Sequence, residues 1–514
     1  MKQSLHVFSA LLLALLLLSL DAFAEDSTLL KEWSIELENT ARLNYYGFWG
    51  DPLGSPYFKT SGHFYDELSG RFSRQYSPYE FFLGKFSLLY NDSAYRRNED
   101  GMILERAGLT WEKGDVGMPF RMEAGDYYAF ISTRTMQRSL KGSRFEIQPQ
   151  SASPDRRYSM LFFFGTESDA YYRLKMSDDF YMGGSWLMEN RSLGDYSINV
   201  VRNTRKSDGD LNLPERGQTI ISVTGSKELE LARQKLSLGG EVSRFKGDHA
   251  MSAFTVRENV NGMGYFGQVR GETGTPLFFL FRFEDYDKDY VPAGANIRPD
   301  HRAYSTQAGW RFQRGLNLRG RLQHYTDGVD STNPLETLVY GAALTGPLNV
   351  ASLPGLSTDV DAFVQDVKNK DRTIDYLASV ARLSLSMPVH NWSSQMMLGA
   401  RKHEDQRTNG NPSEYTYDLG MSAVHALVLG SWRGSAAPGF IYQKRSGNNT
   451  DQDSYGLNLA AQIAADAHHV GLDYRLLKNQ YRSAGQPDTI SHSVGMNYRF
   501  TSGPHTIGIE SYFD

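Results

Sequence analysis

The chain has 514 residues, with 54 Lys+Arg against 59 Asp+Glu and a formal net charge of −5. That balance argues against a general nucleic-acid binder, which needs a concentrated cationic surface. The absence of cysteine removes disulfide scaffolds, thiolate metal sites and thiol nucleophiles, and a mean hydropathy of −0.47 argues against a polytopic helical membrane protein.

Residues 1–24 read as a secretory signal peptide. Lys2 supplies the positive n-region, Leu11 to Leu20 the apolar h-region, and Ala22-Phe23-Ala24 an A-x-A cleavage site that leaves Glu25 as the new N-terminus. No lipobox cysteine is present, so the pattern is not that of a lipoprotein. Residues 25–514 form the second predicted domain.

From Trp33 onward, apolar and polar residues alternate with period two, the signature of strands with one apolar face. Trp33, Ile35, Leu37, Ala41, Leu43 and Tyr45 oppose Ser34, Glu36, Glu38, Thr40, Arg42 and Asn44. Ile103, Ala107, Leu109 and Trp111 alternate with Leu104, Arg106, Thr110 and Glu112. The pattern returns with Leu316, Leu318 and Leu322 against Asn317, Arg319, Arg321 and Gln323, and with Tyr417, Leu419 and Met421 against Asp418, Gly420 and Ser422. It runs on through Val470–Leu476 and Ile490–Phe500. Two segments, Met160–Phe164 and Leu277–Phe281, are continuously apolar and hide their period.

Each segment spans roughly ten residues, the length of a tilted strand that crosses a bilayer. Polar connections such as Ser207–Gly217, Asp327–Pro334, Glu404–Ser413 and Arg482–Asp488 alternate with tight ones such as Leu429-Gly430-Ser431. Long loops on one side and short turns on the other are the asymmetry of a membrane barrel. About 26 candidate strands can be counted, and the expected fold is all-β, a single large transmembrane antiparallel β-barrel of about 22–26 strands. A soluble propeller or β-helix needs a fixed repeat, and none is found. Tyr45, Tyr46, Phe48, Trp49, Tyr127, Tyr128, Tyr415 and Tyr417 suit an interfacial aromatic girdle, although Tyr and Phe also have ordinary strand propensity.

With the signal peptide and the strands on the page, the chain resembles a Gram-negative outer-membrane β-barrel protein of the porin-like or export-channel class. Met496-Asn497-Tyr498-Arg499-Phe500 carries the resemblance, and so does the last segment, Ile507-Gly508-Ile509-Glu510-Ser511-Tyr512-Phe513. That segment resembles the C-terminal signal read by the barrel assembly machinery, with the departure that Asp514 follows the aromatic Phe513. The resemblance implies residence in the cell outer membrane. It implies outer-membrane lipid, lipopolysaccharide and the barrel assembly machinery as partners, with secretion or biosynthesis proteins as further candidates and no nucleic acid. The early first strand leaves no expected plug or periplasmic domain.

Few constellations suggest chemistry. Asp285-Tyr286-Asp287-Lys288-Asp289 begins like a calcium loop, but Tyr290 stands where Gly makes the sharp turn and Asn296 where Glu ligates. A solvated acidic loop is the alternative, and Asp285, Asp287 and Asp289 are the only metal candidates. His468 and His469 are adjacent, so on a strand their rings face opposite sides. His492 lies on the apolar row without a visible partner, so no catalytic residue and no enzyme are expected. No cofactor is expected either.

The polar rows are more informative. Arg42, Arg106, Arg319, Arg321, Arg382, Arg401, Asp418, Asp473, Arg475 and Arg499 are the candidate lumen-lining residues. Arg121, Arg144, Arg173, Glu36, Glu38, Glu112, Glu123 and Glu146 share such rows, and near-balanced signs favour mixed pairing over strong anion selectivity. Tyr171-Tyr172-Arg173, Tyr340 and Tyr442 are candidates for stacking on sugar rings. A wide barrel needs a wet lumen or something that fills it. The leading expectation is therefore a channel for a bulky hydrophilic cargo, an exported polysaccharide or a surface polypeptide. The alternatives are a general diffusion porin and a sheath that encloses or anchors a partner protein.

Overall fold

The computed structural model describes residues 32–46, 61–91, 101–151, 153–167, 179–206, 215–231, 234–252, 255–273, 276–407, 410–447, 451–482, 487–502 and 505–513. The expected signal peptide, residues 1–24, lies outside the described residues. The first strands are β1 (Ser34–Tyr46), β2 (Ser61–Ser77), β3 (Glu80–Asn91), β4 (Gly101–Lys113), β5 (Phe120–Ser132), β6 (Met136–Ile147), β7 (Arg156–Glu167), β8 (Asp179–Asn190) and β9 (Gly194–Arg205). Next come β10 (Arg216–Leu231), β11 (Gln234–Ser252), β12 (Thr255–Thr273), β13 (Leu277–Tyr286), β14 (His301–Arg311), β15 (Asn317–Asp327), β16 (Leu335–Pro347) and β17 (Ser357–Asn369). The last are β18 (Asp375–Val389), β19 (Trp392–Asp405), β20 (Glu414–Leu429), β21 (Trp432–Ser446), β22 (Gln452–Ala465), β23 (His468–Tyr481), β24 (Thr489–Ser502) and β25 (His505–Phe513).

They form one 25-stranded sheet. From β1 to β10 and from β13 to β25, strands consecutive in the chain pair antiparallel, as with Ser34 opposite Ser73 in β1–β2 and Ser502 opposite His505 in β24–β25. The count falls within the expected 22–26, and the class is all-β as the alternation requires. No helix among the described residues is long and apolar enough to cross a membrane.

The sheet forms because the period-two pattern gives every strand one face that prefers hydrocarbon and one that tolerates water. Strand β9 shows it most plainly. Tyr196, Ile198 and Val200 are exposed on one side, while Ser197, Asn199, Val201 and Asn203 are buried on the other. That is the reverse of a soluble sandwich, where the apolar row would be the buried one. The hidden period of β7 resolves the same way, with Phe162 and Phe164 exposed and Phe163 buried between them.

The chain divides into two compact units. Unit 1 comprises Met1–Lys227, Glu241–Gly264 and Asp289–Pro299, and unit 2 comprises Glu228–Gly240, Tyr265–Lys288 and Asp300–Asp514. In unit 1, aromatic residues collect at the strand ends joined by short connections. Trp33 packs on Phe82 at 5.7 Å, Trp111 on Phe120 at 5.1 Å and Tyr158 on Trp186 at 6.1 Å between ring centroids. In unit 2, Trp392 stacks on His425 at 4.5 Å at the corresponding ends. Such a belt suits a membrane interface. Tyr127, expected in the girdle, is instead buried on the polar face, where its hydroxyl donates to the Phe164 carbonyl at 3.0 Å.

Candidate functional site

The polar face of unit 1 is covered by the unit's own chain. The pairing of β4 with β5 ends at Gly108 opposite Gly125. Gly125 has φ of 100°, a left-handed conformation that glycine adopts without steric cost, and a Cβ there would collide with the Ala107 carbonyl. Beyond this kink the Ala107 N–H donates to the Asp126 carboxylate at 2.8 Å instead of to a strand partner. The rest of the β5–β6 hairpin turns inward, burying Ala129, Met136 and Leu140.

The hairpin tip is a serine turn. Ser132 Oγ accepts the backbone N–H groups of Arg134 at 3.2 Å and Thr135 at 2.9 Å. The tip docks on Glu241 of β11. The Ser132 and Thr135 hydroxyls each donate to Glu241 Oε1 at 2.8 Å, and Arg134 Nη1 lies 3.6 Å from Oε2. The side chains of Arg134 and Glu241 are 10% and 3% exposed, so this is a buried charge pair whose second hydrogen-bond shell is also filled. Ser222 Oγ lies 2.9 Å from Thr135 Oγ1 and accepts from Asn199 Nδ2 at 3.1 Å, and Ser185 donates to Asn199 Oδ1 at 2.6 Å.

The Asp289–Pro299 segment closes over the hairpin. The Tyr290 hydroxyl donates to the Arg134 carbonyl at 3.0 Å, and the Gln137 N–H donates to the Gly294 carbonyl at 2.8 Å. The Ala293 N–H donates to Gln218 Oε1 at 2.9 Å, and Arg138 Nη2 donates to the Ala293 carbonyl at 3.0 Å. Tyr290 is fully buried beside Phe245, and a Cβ on Gly294 would collide with Met136 Sδ. Toward the short connections the polar face is braced by ion pairs. Arg121 pairs with Glu112 at 3.0 Å and Glu123 at 2.6 Å, and Arg144 pairs with Glu146 at 3.4 Å.

The polar face of unit 2 is different. The registers set Gly309, Arg319, Ala343, Asp361, Arg382, Gly399, Asp418 and Gln443 opposite one another in sequence across β14–β21, which puts them on one face in one transverse row. The next row holds Arg321, Gly341, Phe363, Val380, Arg401, Thr416 and Arg445. Arg319, Arg382 and Arg401 are exposed. Arg321 grips both oxygens of Asp361 at 2.9 and 3.1 Å and stacks over Phe363 at 4.8 Å. Asp418 accepts from Gln443 Nε2 at 2.7 Å.

The other expected lumen residues are placed as follows. Asp473 stands opposite Ala460 and Arg475 opposite Asn458, both exposed on the same face. Arg499 stands opposite His469 and is exposed. In unit 1, Arg106 stands opposite Ser87, beside a register shift in the β3–β4 ladder. Arg42 pairs with Tyr65 through the backbone, and its side chain lies outside the described residues.

The acidic segment is not arranged as a calcium loop. Asp285 lies in β13, where Arg302 engages it at 3.0 Å, and the Asp287 carbonyl accepts the Asp300 N–H at 3.3 Å. No group of three or more metal-ligating side chains occurs among the described residues, so Asp285, Asp287 and Asp289 gather no site. From Tyr290 onward the loop is packed rather than solvated. Of the sugar-stacking candidates, Tyr340 and Tyr442 sit on the apolar face and not on the polar rows: Tyr340 is opposite Val364, and Tyr442 is ring to ring with Tyr455 at 5.1 Å. Tyr171, Tyr172 and Arg173 lie outside the described residues. Sequence reasoning missed Glu241, Arg134, Thr135 and Gln218. The available signal was the stretch Tyr290-Val291-Pro292-Ala293-Gly294-Ala295, too small and uncharged for a long solvated loop.

No family model and no curated protein matches the chain. Among solved structures it is similar to OccAB2 of Acinetobacter baumannii, at 11% identity over 66% of this chain and 93% of that one, with a TM-score of 0.35. It is similar to OccK3 (OpdO) of Pseudomonas aeruginosa, at 12% identity over 69% and 94%, with a TM-score of 0.35. It is also similar to the translocation pore of the P pilus usher (PapC), at 10% identity over 93% and 99%, with a TM-score of 0.36. Exposed apolar rows on strands such as β9 and β15 and antiparallel strand pairing give the chain an all-β architecture of the kind found in transmembrane β-barrels.

Proposed function

We propose that the chain is an outer-membrane channel that passes a bulky hydrophilic cargo, with the charged face of unit 2 lining its passage. The observation that carries this reading is the row through Arg319, Asp361, Arg382 and Asp418. These side chains stand opposite an apolar exposed face, and Arg319 and Arg382 remain open to solvent. Charged side chains directed away from hydrocarbon need water, and continuous water along a membrane-spanning face is a conducting path. Within unit 1, Glu241 and its partners hold chain against the polar face where water would otherwise stand, which supports restricted rather than free passage along that face. That favours a channel with a defined cargo over a general diffusion porin.

The test is single-channel recording of the purified, refolded full chain in a planar bilayer. The expected result is a steady ohmic conductance with occasional larger steps as the hairpin undocks. A folded, heat-modifiable protein that never conducts, and that co-purifies with a stoichiometric partner, would overturn the reading in favour of a sheath.

A further inference from the structure

We infer that the open face of unit 2 selects an anionic cargo, a carboxylate-bearing oligosaccharide, through Arg319, Arg382 and Arg401. The inference rests on the channel reading and names the cargo chemistry it leaves open.

Similar numbers of the two signs in the sequence predict mutual neutralisation, but the pairing in unit 2 is uneven. Asp361 stands directly opposite Arg382, yet both of its oxygens are engaged by Arg321. Asp418 is held by the neutral Gln443. Arg282 pairs with Glu284, and Arg445 with Glu414 at 3.4 Å. Arg319, Arg382, Arg401, Arg475 and Arg499 form no ion pair or hydrogen bond through their guanidinium groups among the described residues. On the described strands β14–β24, Asp359, Asp418 and Asp473 are the carboxylates of this face with no Lys or Arg partner, and Asp327 is held by His301. The uncompensated excess is therefore cationic, although the whole chain is acidic.

Arg382 and Arg401 are diagonal neighbours on β18 and β19, since Gly399 stands opposite Arg382 and Arg401 follows two residues on. That geometry holds their Cβ atoms roughly 7–8 Å apart. Two like charges at that distance repel, and an oxyanion between them relieves the repulsion. Arg319 lies three strands away in the same row, about 14 Å at normal strand spacing, a second contact for a chain of repeating charges. Its cross-strand neighbours are Gly309 and Ala343, and Gly399 faces Arg382, so no large side chain covers either guanidinium. The planar guanidinium fork matches a carboxylate in a bidentate fashion. The flanking Thr416 and Asn458 offer neutral hydrogen bonds that the hydroxyls of a sugar can take.

The experiment uses the full chain and the triple variant Arg319→Gln, Arg382→Gln, Arg401→Gln. In a planar bilayer under a KCl gradient, the reversal potential should report chloride passing more readily than potassium, and the triple variant should bring the ratio to one or below. Oligogalacturonate should block the current at lower concentration than neutral dextran of the same size. Equilibrium binding of labelled oligogalacturonate to the detergent-solubilised protein should weaken at least about tenfold in the variant, the loss of one charge-assisted contact. Cation selectivity in the wild type, or a variant with unchanged ratio and binding, would overturn the inference. Tighter binding of poly-glutamate than of oligogalacturonate would also overturn it, in favour of an acidic polypeptide. Arginine-dependent binding without any conductance would leave the anion site standing and remove the channel reading.

Discussion

Replacing Glu241 with alanine should release the β5–β6 hairpin from the polar face of unit 1. Glu241 accepts two hydroxyl hydrogen bonds at 2.8 Å and faces Arg134 at 3.6 Å, with both charged side chains almost fully buried. Removing one partner of a buried pair costs about 3–5 kcal/mol, because the other charge is left without compensation. Here the cost falls on the docked state of the hairpin, since undocking returns Arg134 to water while the strand ladder is left intact. The docked-to-undocked ratio should fall roughly 10²–10⁴-fold. Glu241→Gln keeps an acceptor for both hydroxyls and should cost about 1–3 kcal/mol, so the two variants should rank in that order. The assay is single-channel recording together with hydrogen exchange at the amides of Ala129 to Leu140. Alanine should raise the mean conductance and the exchange of these amides, leaving β14–β24 amides unchanged. Wild-type conductance and exchange in a folded Glu241→Ala protein would refute the view that this carboxylate fastens the hairpin.

Further outcomes follow from single sites. Gly294→Val should displace the Asp289–Pro299 segment, because a Cβ collides with Met136 Sδ, and should reproduce the raised conductance without touching Glu241. Gly125→Val should misplace the same hairpin by forbidding the φ of 100°, read as loss of protection at the Ala107 amide. Val200→Arg places a charge on the exposed apolar row of β9 and should destabilise refolding into lipid by about 2–4 kcal/mol, whereas Gln395→Arg on the polar row of β19 should change it little. In the turn between β17 and β18, hydrogen bonds from the Thr373 hydroxyl and N–H hold the Asp371 carboxyl below its ordinary range. A depressed folded-state value stabilises the turn above the ordinary carboxylate range, and that contribution is lost as pH falls through the depressed value. The protection factor of the Thr373 amide should fall on acidification in the wild type, be independent of pH in Asp371→Asn, which keeps an acceptor oxygen, and be lost in Asp371→Ala.

Strands were legible in the sequence because membrane strands encode both their faces. An apolar row must meet lipid and a polar row must not, so Tyr196, Ile198 and Val200 separate from Ser197, Asn199 and Asn203 without knowledge of any partner strand. Connections were legible where they are charged, as at Glu404–Ser413, in which the Asp405 carboxylate accepts from Arg407 Nε at 2.8 Å. The infolded elements were not legible in this way. Period two does not distinguish an inner face that meets water from one that meets another piece of the same chain, since Asn199 and Ser222 suit either surrounding. The inward turn depends on one left-handed glycine, Gly125, in a chain with 48 glycines. The acidic start of the β13–β14 connection also masked the small, uncharged residues that follow it.

The same limit explains why a count of charges misjudged the polar rows. Neutralisation depends on register and reach, not on number. In unit 1, Arg121 and Arg144 meet Glu112, Glu123 and Glu146 along neighbouring strands, and the cluster closes on itself. In unit 2, Arg321 reaches diagonally to Asp361 and takes both of its oxygens, so Arg382 faces an acid that is already engaged. Shifting β17 by a single residue relative to β18 would turn Asp361 to the apolar face and leave Asp418 as the one acid in a described row that holds Arg319 and Arg382. The cationic excess is therefore a property of pairing and not of composition. Arg321→Gln gives the direct check: freeing Asp361 should let it engage Arg382, so Arg382→Gln should weaken oligogalacturonate binding much less in the Arg321→Gln background than in the wild type. Additive effects of the two substitutions would show that the face acts through its summed charge, and that the pairing geometry does not matter.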